Sequence, residues 1–260
     1  MKILAIGDVC GKCGCYALLN RLPTLKKELG VSFTVINGEN SSEAGCISRE
    51  SAQLLLNAGA DVITGGNHTL HRRDFRPLLD DNPRLLRPHN LPNAQYGSGY
   101  CTVDMGFTTV AVINLLGSMY LDTYNAQNPF TVADELIARA KSEGIKVIIV
   151  DFHAEATAEK RALGMYLDGR VSAVFGTHTH VQTGDACILS GGTAYITDLG
   201  MTGAANSILG VQSEIIINRF KNGDGGRFIQ ADGAATIEGM LFDVDLNSGK
   251  SVFAQAIRIT

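Results

Sequence analysis

The sequence predicts an α/β protein with mixed sheets, in which two sheets pack face to face and the helices lie outside. Short β-branched apolar runs alternate along the chain with segments of helical periodicity. Two runs, KVIIVDF at 146–152 and VSAVFG at 171–176, are continuously apolar, as in strands buried on both faces. Hairpin patterns in the middle and at the end of the chain add antiparallel pairs, which makes the sheets mixed.

The first third of the chain predicts three strands separated by two helices. The strands are expected at 2–7, 33–37 and 61–66. Leucine spacing predicts a helix over 16–29, in which Pro23 must introduce a kink or mark the true start. Ser48 is suited to cap the second helix, which ends at Gly59.

The middle of the chain is expected to be loop with at most short helical pieces, because it contains Pro77, Pro83, Pro88 and Pro92. Two β-rich runs then predict an antiparallel hairpin, YCTVDM and TTVAVIN. Thr131 and Asp134 resemble a capping box at the start of a helix.

The last elements alternate again and end in a hairpin. A helix over 156–167 and a strand over 193–198 flank the buried run at 171–176. Gly210–Gly233 joins a helix-like VQSEIIINRF to the polar KNGDGG. We therefore expect a single domain over 1–260 with a small cap inserted at about 204–233. Two β-rich runs close the chain around the turn at 247–249.

Composition and charge limit the function classes. The balance of 22 Lys and Arg against 26 Asp and Glu gives a net charge of −4, which argues against stable nucleic-acid binding through broad phosphate neutralisation. No apolar run approaches the roughly 18 residues of a membrane span, and the first residues lack a signal-peptide pattern. The expected location is the cytoplasm. The sequence leaves homo-oligomer formation open.

Three cysteines cluster near the start of the chain, Cys10, Cys13 and Cys15. Such spacing invites a zinc interpretation, but a closed structural zinc site needs four ligands, usually in two separated pairs. No second pair follows, so reduced thiols are the favoured interpretation.

Polar side chains follow five of the predicted strands, at or just beyond the point where each strand ends. In α/β sheets the crevice beyond the carboxyl ends of parallel strands is where ligands bind. These residues are therefore expected to converge, and they are Asp8, Glu39, Asn40, Asn67, His68, His153, His178 and His180.

Carboxylate, amide oxygen and imidazole are ligands of divalent Fe, Mn and Zn. Eight such groups exceed the needs of one ion and suit two, with Glu39 as the bridging carboxylate. In GTHTH, an extended backbone would point His178 and His180 the same way, one toward each ion.

Each motif alone also has a structural interpretation. A single Asp after a strand is usually a cap, a single His is usually hydrogen-bonded structure, and GEN and GGNH resemble turns. Turn chemistry gives no reason for acid or His to follow nearly every core strand, so the joint pattern favours a site.

His71 fits either a solvated loop or substrate binding, and Arg72 and Arg73 are candidate substrate-binding cations.

The ordered motifs resemble the calcineurin-like metallophosphoesterases, and more closely their bacterial YmdB-like branch. In that branch GEN replaces the usual GD, and the opening motif lacks the usual His, where Cys10 stands here. The resemblance runs nearly end to end, including TDLGMTG at 197–203. The matched motifs are GDVCG at 7–11, GEN at 38–40, GGNH at 65–68, His153 and GTHTH at 176–180.

The resemblance implies a four-layer αββα sandwich with a dinuclear site at one edge. Asp8, Glu39, Asn40 and His180 would hold one ion, and the other would be held by Glu39, Asn67, His153 and His178. Iron or manganese is expected, with zinc as a further option. Asn40 would compensate for the absent His, while Cys10 is either an additional soft ligand or a small buried side chain.

The resemblance also implies a metal-dependent phosphodiesterase acting on a small phosphodiester or nucleotide, with cyclic nucleotides (2′,3′ or 3′,5′) as the expected substrates. A metal hydroxide would attack phosphorus in line, and His68 would protonate the leaving alkoxide. The alternatives are a phosphomonoesterase or nucleotidase at the same site, and a nucleotide- or RNA-linked regulator with weak activity. A dinucleotide-binding domain is excluded, because GDVCGKCG lacks the G-x-G-x-x-G spacing.

Overall fold

The computed structural model describes residues 1–43, 45–92, 95–223 and 226–260, and it contains two mixed β-sheets that pack against each other. The strands are β1 (Lys2–Ile6), β2 (Asp8–Val9), β3 (Phe33–Asn37), β4 (Val62–Thr64), β5 (Tyr100–Asp104), β6 (Thr109–Leu116), β7 (Val147–His153), β8 (Ala173–Thr177), β9 (Cys187–Ile188), β10 (Ala194–Ile196), β11 (Met201–Ala204), β12 (Ala235–Val244) and β13 (Ser251–Ile259). The helices are α1 (Gly11–Leu29), α2 (Arg49–Ala58), α3 (Arg76–Asp81), α4 (Pro129–Ser142), α5 (Thr157–Tyr166) and α6 (Ser213–Asn222).

Each sheet contains both parallel and antiparallel strand pairs. The first has the order β2-β11-β12-β1-β3-β4, in which β1, β3 and β4 are parallel and β13 pairs antiparallel with β12. The second has the order β5-β6-β7-β8-β10-β9, with β6, β7, β8 and β10 parallel in succession. The hairpins of β5 with β6 and of β12 with β13 confirm the predicted antiparallel pairs.

Side-chain alternation along the strands produces four layers. On β7, Val147 and Ile149 face the core between the sheets, while Ile148 and Val150 face α4 and α5. On β1, the odd-numbered residues face the inter-sheet core, and Leu4 packs with α1 and α2 on the outer side. The predicted fold class, two mixed sheets between helices, is confirmed.

Parallel pairing places the carboxyl ends of β1, β3 and β4 at one edge of the first sheet, and those of β7 and β8 at one edge of the second. Hydrogen bonds join the two edges. Asn37 at the end of β3 donates to Asp151 on β7 (3.1 Å) and to Thr177 at the end of β8 (3.3 Å). Residues that follow these strands therefore enter one shared crevice.

The first helix begins earlier than leucine spacing predicts. It starts at Gly11 rather than Tyr16 and continues through Pro23 without ending there. Its first turn lacks apolar periodicity and has no side-chain cap, so tertiary contacts hold it instead. The Gly11 amide donates to Asn40 O (2.9 Å), and Gly14 lies so close to the Thr202 carbonyl that a Cβ would clash.

The predicted capping box at Thr131 and Asp134 is wrong. The helix starts earlier, at Pro129, and Asn128 caps it by accepting from the amides of Phe130 (2.9 Å) and Thr131 (3.4 Å). Ser48 does cap the second helix, as predicted.

Of the predicted insertion, residues 224 and 225 lie outside the described part of the chain, as do residues 93 and 94 of the proline-rich middle. Among the described residues, no helix is both long and apolar enough to cross a bilayer.

A buried ion pair anchors the loop that carries GTHTH. Lys160 Nζ lies 2.6 Å from Asp198 Oδ2, and both side chains are 1% exposed. Asp198 also accepts from the Thr179 amide (3.2 Å) and hydroxyl (2.7 Å). The carboxylate thereby joins the loop to helix α5 and to the segment after β10.

Replacing Lys160 by Met should destabilise the metal-free protein strongly. The change leaves Asp198 as a buried carboxylate without its cation, and breaking a buried pair in this way typically costs about 3–5 kcal/mol. Urea unfolding in EDTA measures the effect. Lys12→Met, which breaks the exposed pair with Glu43, is the control and should leave the midpoint unchanged. Equal midpoints for both variants would contradict the anchoring role.

Candidate metal centre

The centre of the site is a contact between Glu39 and His153, both of which are completely buried. Glu39 follows β3, where its amide donates to Asn37 Oδ1 (3.1 Å), and its Oε1 accepts from the His68 amide. Its Oε2 lies 2.7 Å from His153 Nε2 at the end of β7 but receives no well-oriented hydrogen bond from the described residues. This carboxylate therefore sits between the two sheets.

Three potential ligand atoms converge on one imidazole nitrogen. His153 Nε2 lies 2.7 Å from Glu39 Oε2, 3.1 Å from Asn67 Oδ1 and 3.1 Å from His178 Nδ1. A ring nitrogen carries at most one proton or offers one lone pair, so it cannot satisfy all three groups. A cation among them can, because each group offers a lone pair. One ligand atom each from Glu39, His153 and His178 lies within 4.8 Å of the other two, close enough for the three to share one ion.

The other ring nitrogen of His153 is held by a buried polar chain. His153 Nδ1 lies 2.9 Å from Thr177 Oγ1, whose hydroxyl donates to Asp151 Oδ1 (2.7 Å). Thr177 Oγ1 thereby accepts the Nδ1 proton, which directs the Nε2 lone pair toward the cluster. Sequence reasoning missed both supports, although an acid within the apolar run KVIIVDF was the available signal.

A second carboxylate supports His178. Its Nδ1 faces the cluster, and its Nε2 lies 3.1 Å from Glu155 Oε2. Metal-bound His commonly donates its second nitrogen to such a carboxylate. Glu155 was also missed, because it follows His153 in an exposed loop and has no motif of its own.

The backbone of GTHTH leaves the extended conformation after Thr177, contrary to the prediction for His178 and His180. The strand ends at Thr177, and His178 and His180 have φ of 99° and 62°. Left-handed backbone is costly for a residue with a Cβ and often marks a functional site. The two rings still separate as expected, with His178 beside His153 and His180 beside Asp8.

Asp8 and His180 form the other half of the site. Asp8 Oδ2 accepts from the His178 amide (3.0 Å), while buried Oδ1 lies 3.7 Å from His180 Nε2 and has no hydrogen-bond partner among the described residues. Asn40 presents its Nδ2 to His180 Nε2 (3.2 Å). An orphaned carboxylate oxygen beside an imidazole and an amide fits a second cation.

The cysteine cluster does not form a shared site. Cys10 Sγ lies 3.6 Å from His180 Nδ1, whereas Cys13 donates to Gly233 O and Cys15 to Ser41 O. Burial raises the pKa of the Cys10 thiol well above its usual value in the metal-free protein. The three thiols thus have separate partners, which favours reduced thiols over a shared zinc site.

Electrostatics couple Glu39 and His153. Burial opposes ionisation of both groups, but the attraction between their opposite charges outweighs it, lowering the pKa of Glu39 to about 2 and raising that of His153 to about 9. Burial raises the pKa of Asp8 and that of Asp151, the latter to about 6. Burial and the neighbouring His153 charge lower the pKa of His178 to about 3. Metal binding must therefore release a proton from His153.

The remaining predicted residues are His68, His71, Arg72 and Arg73. His68 Nδ1 is buried 4.0 Å from Glu39 Oε1, and the His68 ring lies 4.8 Å from that of His71. Burial and His68 lower the pKa of His71. The guanidinium of Arg72 is held by Asp74 (3.0 and 2.7 Å), and Arg73 is exposed. His68 thus adjoins the cluster, exposed His71 lies against the His68 ring, and Arg72 is already paired.

The chain is similar to known proteins along nearly its whole length. A family model described as "YmdB-like protein" matches residues 4–257. The Bacillus subtilis (strain 168) protein named 2′,3′-cyclic-nucleotide 2′-phosphodiesterase is 46% identical over 259 residues, covering 100% of this chain and 97% of that one. A solved phosphatase from Mycoplasma pneumoniae has 35% identity and a TM-score of 0.93, with coverage of 100% and 93%. The 5′-nucleotidase precursor of Thermus thermophilus shares the fold at 12% identity, with a TM-score of 0.56 and coverage of 100% and 54%.

The chain belongs to the YmdB-like family of metallophosphoesterases. It is an enzyme of the phosphoesterase class, as the sequence predicted. Membership implies divalent metal ions. The converging lone pairs at His153 Nε2 and the orphaned oxygen of Asp8 are the features that such ions would satisfy.

Replacing Gly66 by Ala should impair metal binding. A Cβ at Gly66 would overlap the His153 ring and the Glu39 carboxylate, so both would have to move. We expect affinity for Mn²⁺ to fall by about 10- to 100-fold, as when ligand orientation is disturbed. Calorimetric titration measures this.

Gly184→Ala is the matched control, because its Cβ would meet no described atom within 4 Å. Wild-type Mn²⁺ affinity in the Gly66 variant would show that the close packing around Glu39 and His153 does not define the site.

Proposed function

We propose that this protein is a dinuclear-metal-dependent phosphodiesterase that hydrolyses cyclic nucleotides, with 2′,3′-cyclic monophosphates as the first candidates. The observation that carries the proposal is the convergence of Asp8, Glu39, His153, His178 and His180 at the facing edges of two sheets. The substrate class is supported by the name of the 46% identical relative.

Two sets of side chains would hold the ions. Asp8, Asn40 and His180 form one set, while the other comprises Asn67, His153 and His178. Glu39 would serve both, since its carboxylate lies at the centre. The donors suit iron or manganese and also permit zinc. When bound, the ions supply Lewis acidity and a nucleophile at neutral pH.

Each of the two amide ligands needs its oxygen turned toward an ion. Asn67 already directs Oδ1 toward His153 Nε2, at 3.1 Å. Asn40 directs Nδ2 toward His180 Nε2, so its amide must rotate by about 180° to offer Oδ1 instead.

His68 is suited to protonate the leaving alcohol. Its backbone amide donates to Glu39, which fixes the residue beside the cluster without using the ring as a ligand. Because Nδ1 is buried, the proton would be delivered from Nε2. A positioned general acid matters most for an alkoxide leaving group, whose protonation lowers the barrier.

A phosphomonoesterase at the same site is the second candidate. A monoester carries additional negative charge, which Arg72 and Arg73 were expected to meet. Arg72 is instead engaged by Asp74 through two hydrogen bonds. This pairing favours the diester, whose single charge the ions would neutralise. Cyclic-nucleotide binding without turnover would instead support a regulator.

Replacing His68 by Ala should preserve metal content and reduce hydrolysis of 2′,3′-cyclic AMP by about 10²–10⁴-fold. With bis-p-nitrophenyl phosphate the loss should be smaller, because an aryl oxide leaves without protonation. Initial rates on Mn²⁺-loaded protein, together with metal analysis, provide the measurement.

His89→Asn is the control. His89 lies outside the cluster and accepts from the Gly99 amide through Nδ1 (3.3 Å), a bond that Asn can replace. If His68→Ala turned over 2′,3′-cyclic AMP at the wild-type rate, His68 would not be the acid. If wild-type protein loaded with metal hydrolysed no phosphodiester, the proposed function would be wrong.

A further inference from the structure

The Asn67 side chain has two ends that differ chemically. Its Oδ1 can bind a cation, whereas its Nδ2 carries two protons and cannot. The two orientations have nearly the same shape, so packing alone does not choose between them. A hydrogen-bond partner at the far end of the amide is needed to hold the side chain in place beside the cluster.

Tyr124 provides this partner. Asn67 Nδ2 donates to the Tyr124 hydroxyl oxygen at 3.0 Å, while Oδ1 lies 3.1 Å from His153 Nε2. Rotating the amide would place its oxygen beside the tyrosine and its protons toward the cluster. The hydroxyl can donate as well as accept, so the bond holds the side chain at the cluster in either orientation, and a cation beside Oδ1 would select the one in which Nδ2 meets the tyrosine.

The position of Tyr124 does not depend on Asn67. It ends a short 3₁₀ turn, Asp122–Tyr124, within a loop that other groups hold at both ends. At the start, buried Glu159 accepts from the Ser118 amide and hydroxyl, both at 2.8 Å. At the end, fully buried Asn90 donates to Gln127 O at 2.8 Å.

Asn40, at the other half of the site, provides a contrast. It presents Nδ2 to His180 Nε2, and no tyrosine holds its amide among the described residues. Asn67 therefore already directs its oxygen toward the proposed ion, whereas Asn40 does not, although both lie in a glycine-containing turn at the end of a strand. The half of the site with the tyrosine is the half that already has three converging ligand atoms.

We propose that Tyr124 is a positioning residue, which fixes Asn67 as an oxygen ligand of the ion beside His153 and His178. The proposal rests on the proposed metal centre. Through this bond the loop over 118–127 would hold a ligand of one ion in place and would not contact the ligands of the other. Removing the hydroxyl should therefore weaken one of two metal equivalents selectively.

The test compares Tyr124→Phe with Tyr166→Phe in the full-length protein. Tyr166 is the matched control, since its hydroxyl also makes one hydrogen bond, to Asp134 (2.7 Å), far from the cluster. Mn²⁺ titration by calorimetry should show one of two equivalents weakened by about tenfold in Tyr124→Phe. The second equivalent and the melting temperature of the metal-free protein should match wild type. At limiting Mn²⁺, electron paramagnetic resonance should show more of the six-line signal of single ions and less of the spin-coupled pair.

Three outcomes would overturn the proposal. Unchanged titration and spectra in Tyr124→Phe would show that the hydroxyl does not position Asn67. Equal weakening of both equivalents with a lowered melting temperature would indicate a general structural role. Failure of wild-type protein to bind Mn²⁺ would remove the metal centre itself, and with it the proposed function.

Discussion

Buried negative charge is the constraint on which the rest of the structure depends. Asp8, Glu39, Asp151 and Asp198 are all completely buried near the edge where the two sheets meet. Isolated buried carboxylates are prohibitively costly, so each must be paired, hydrogen-bonded, protonated or bound to a cation. Lys160 pairs with Asp198, and hydrogen bonds from hydroxyls satisfy Asp151. Asp8 and Glu39 are left with imidazoles, which is the arrangement that divalent cations complete.

The architecture accounts for why these groups meet. Parallel strands bring their carboxyl ends to one edge of each sheet, and face-to-face packing brings the two edges together. The strands then continue into loops, and in one of these loops the backbone adopts positive φ angles that residues with a Cβ rarely take. His178 and His180 adopt left-handed conformations, stabilised by the Asp198 anchor and by the bond from the His178 amide to Asp8.

The sequence predicts the two packed sheets and the candidate ligand positions because both follow from local rules. Alternate residues of each strand face opposite sides of its sheet, and polar residues after apolar runs mark where the strands end. The outer supports are harder to predict, since they join positions distant in sequence. Thr177 with Asp151, Glu155 with His178, and Tyr124 with Asn67 become visible only once the sheets are paired. The early start of α1 was missed for the same reason, because contacts from other segments hold its first turn.

The most direct test of the account concerns Glu39, because it lies between both halves of the site. Elemental analysis of protein loaded with Mn²⁺ and freed of excess ion should give two equivalents per chain for wild type. Glu39→Gln keeps the shape of the side chain but removes its charge, and it should retain less than one equivalent. Two retained equivalents in this variant would contradict the central claim that a buried carboxylate shared by both ions organises the site.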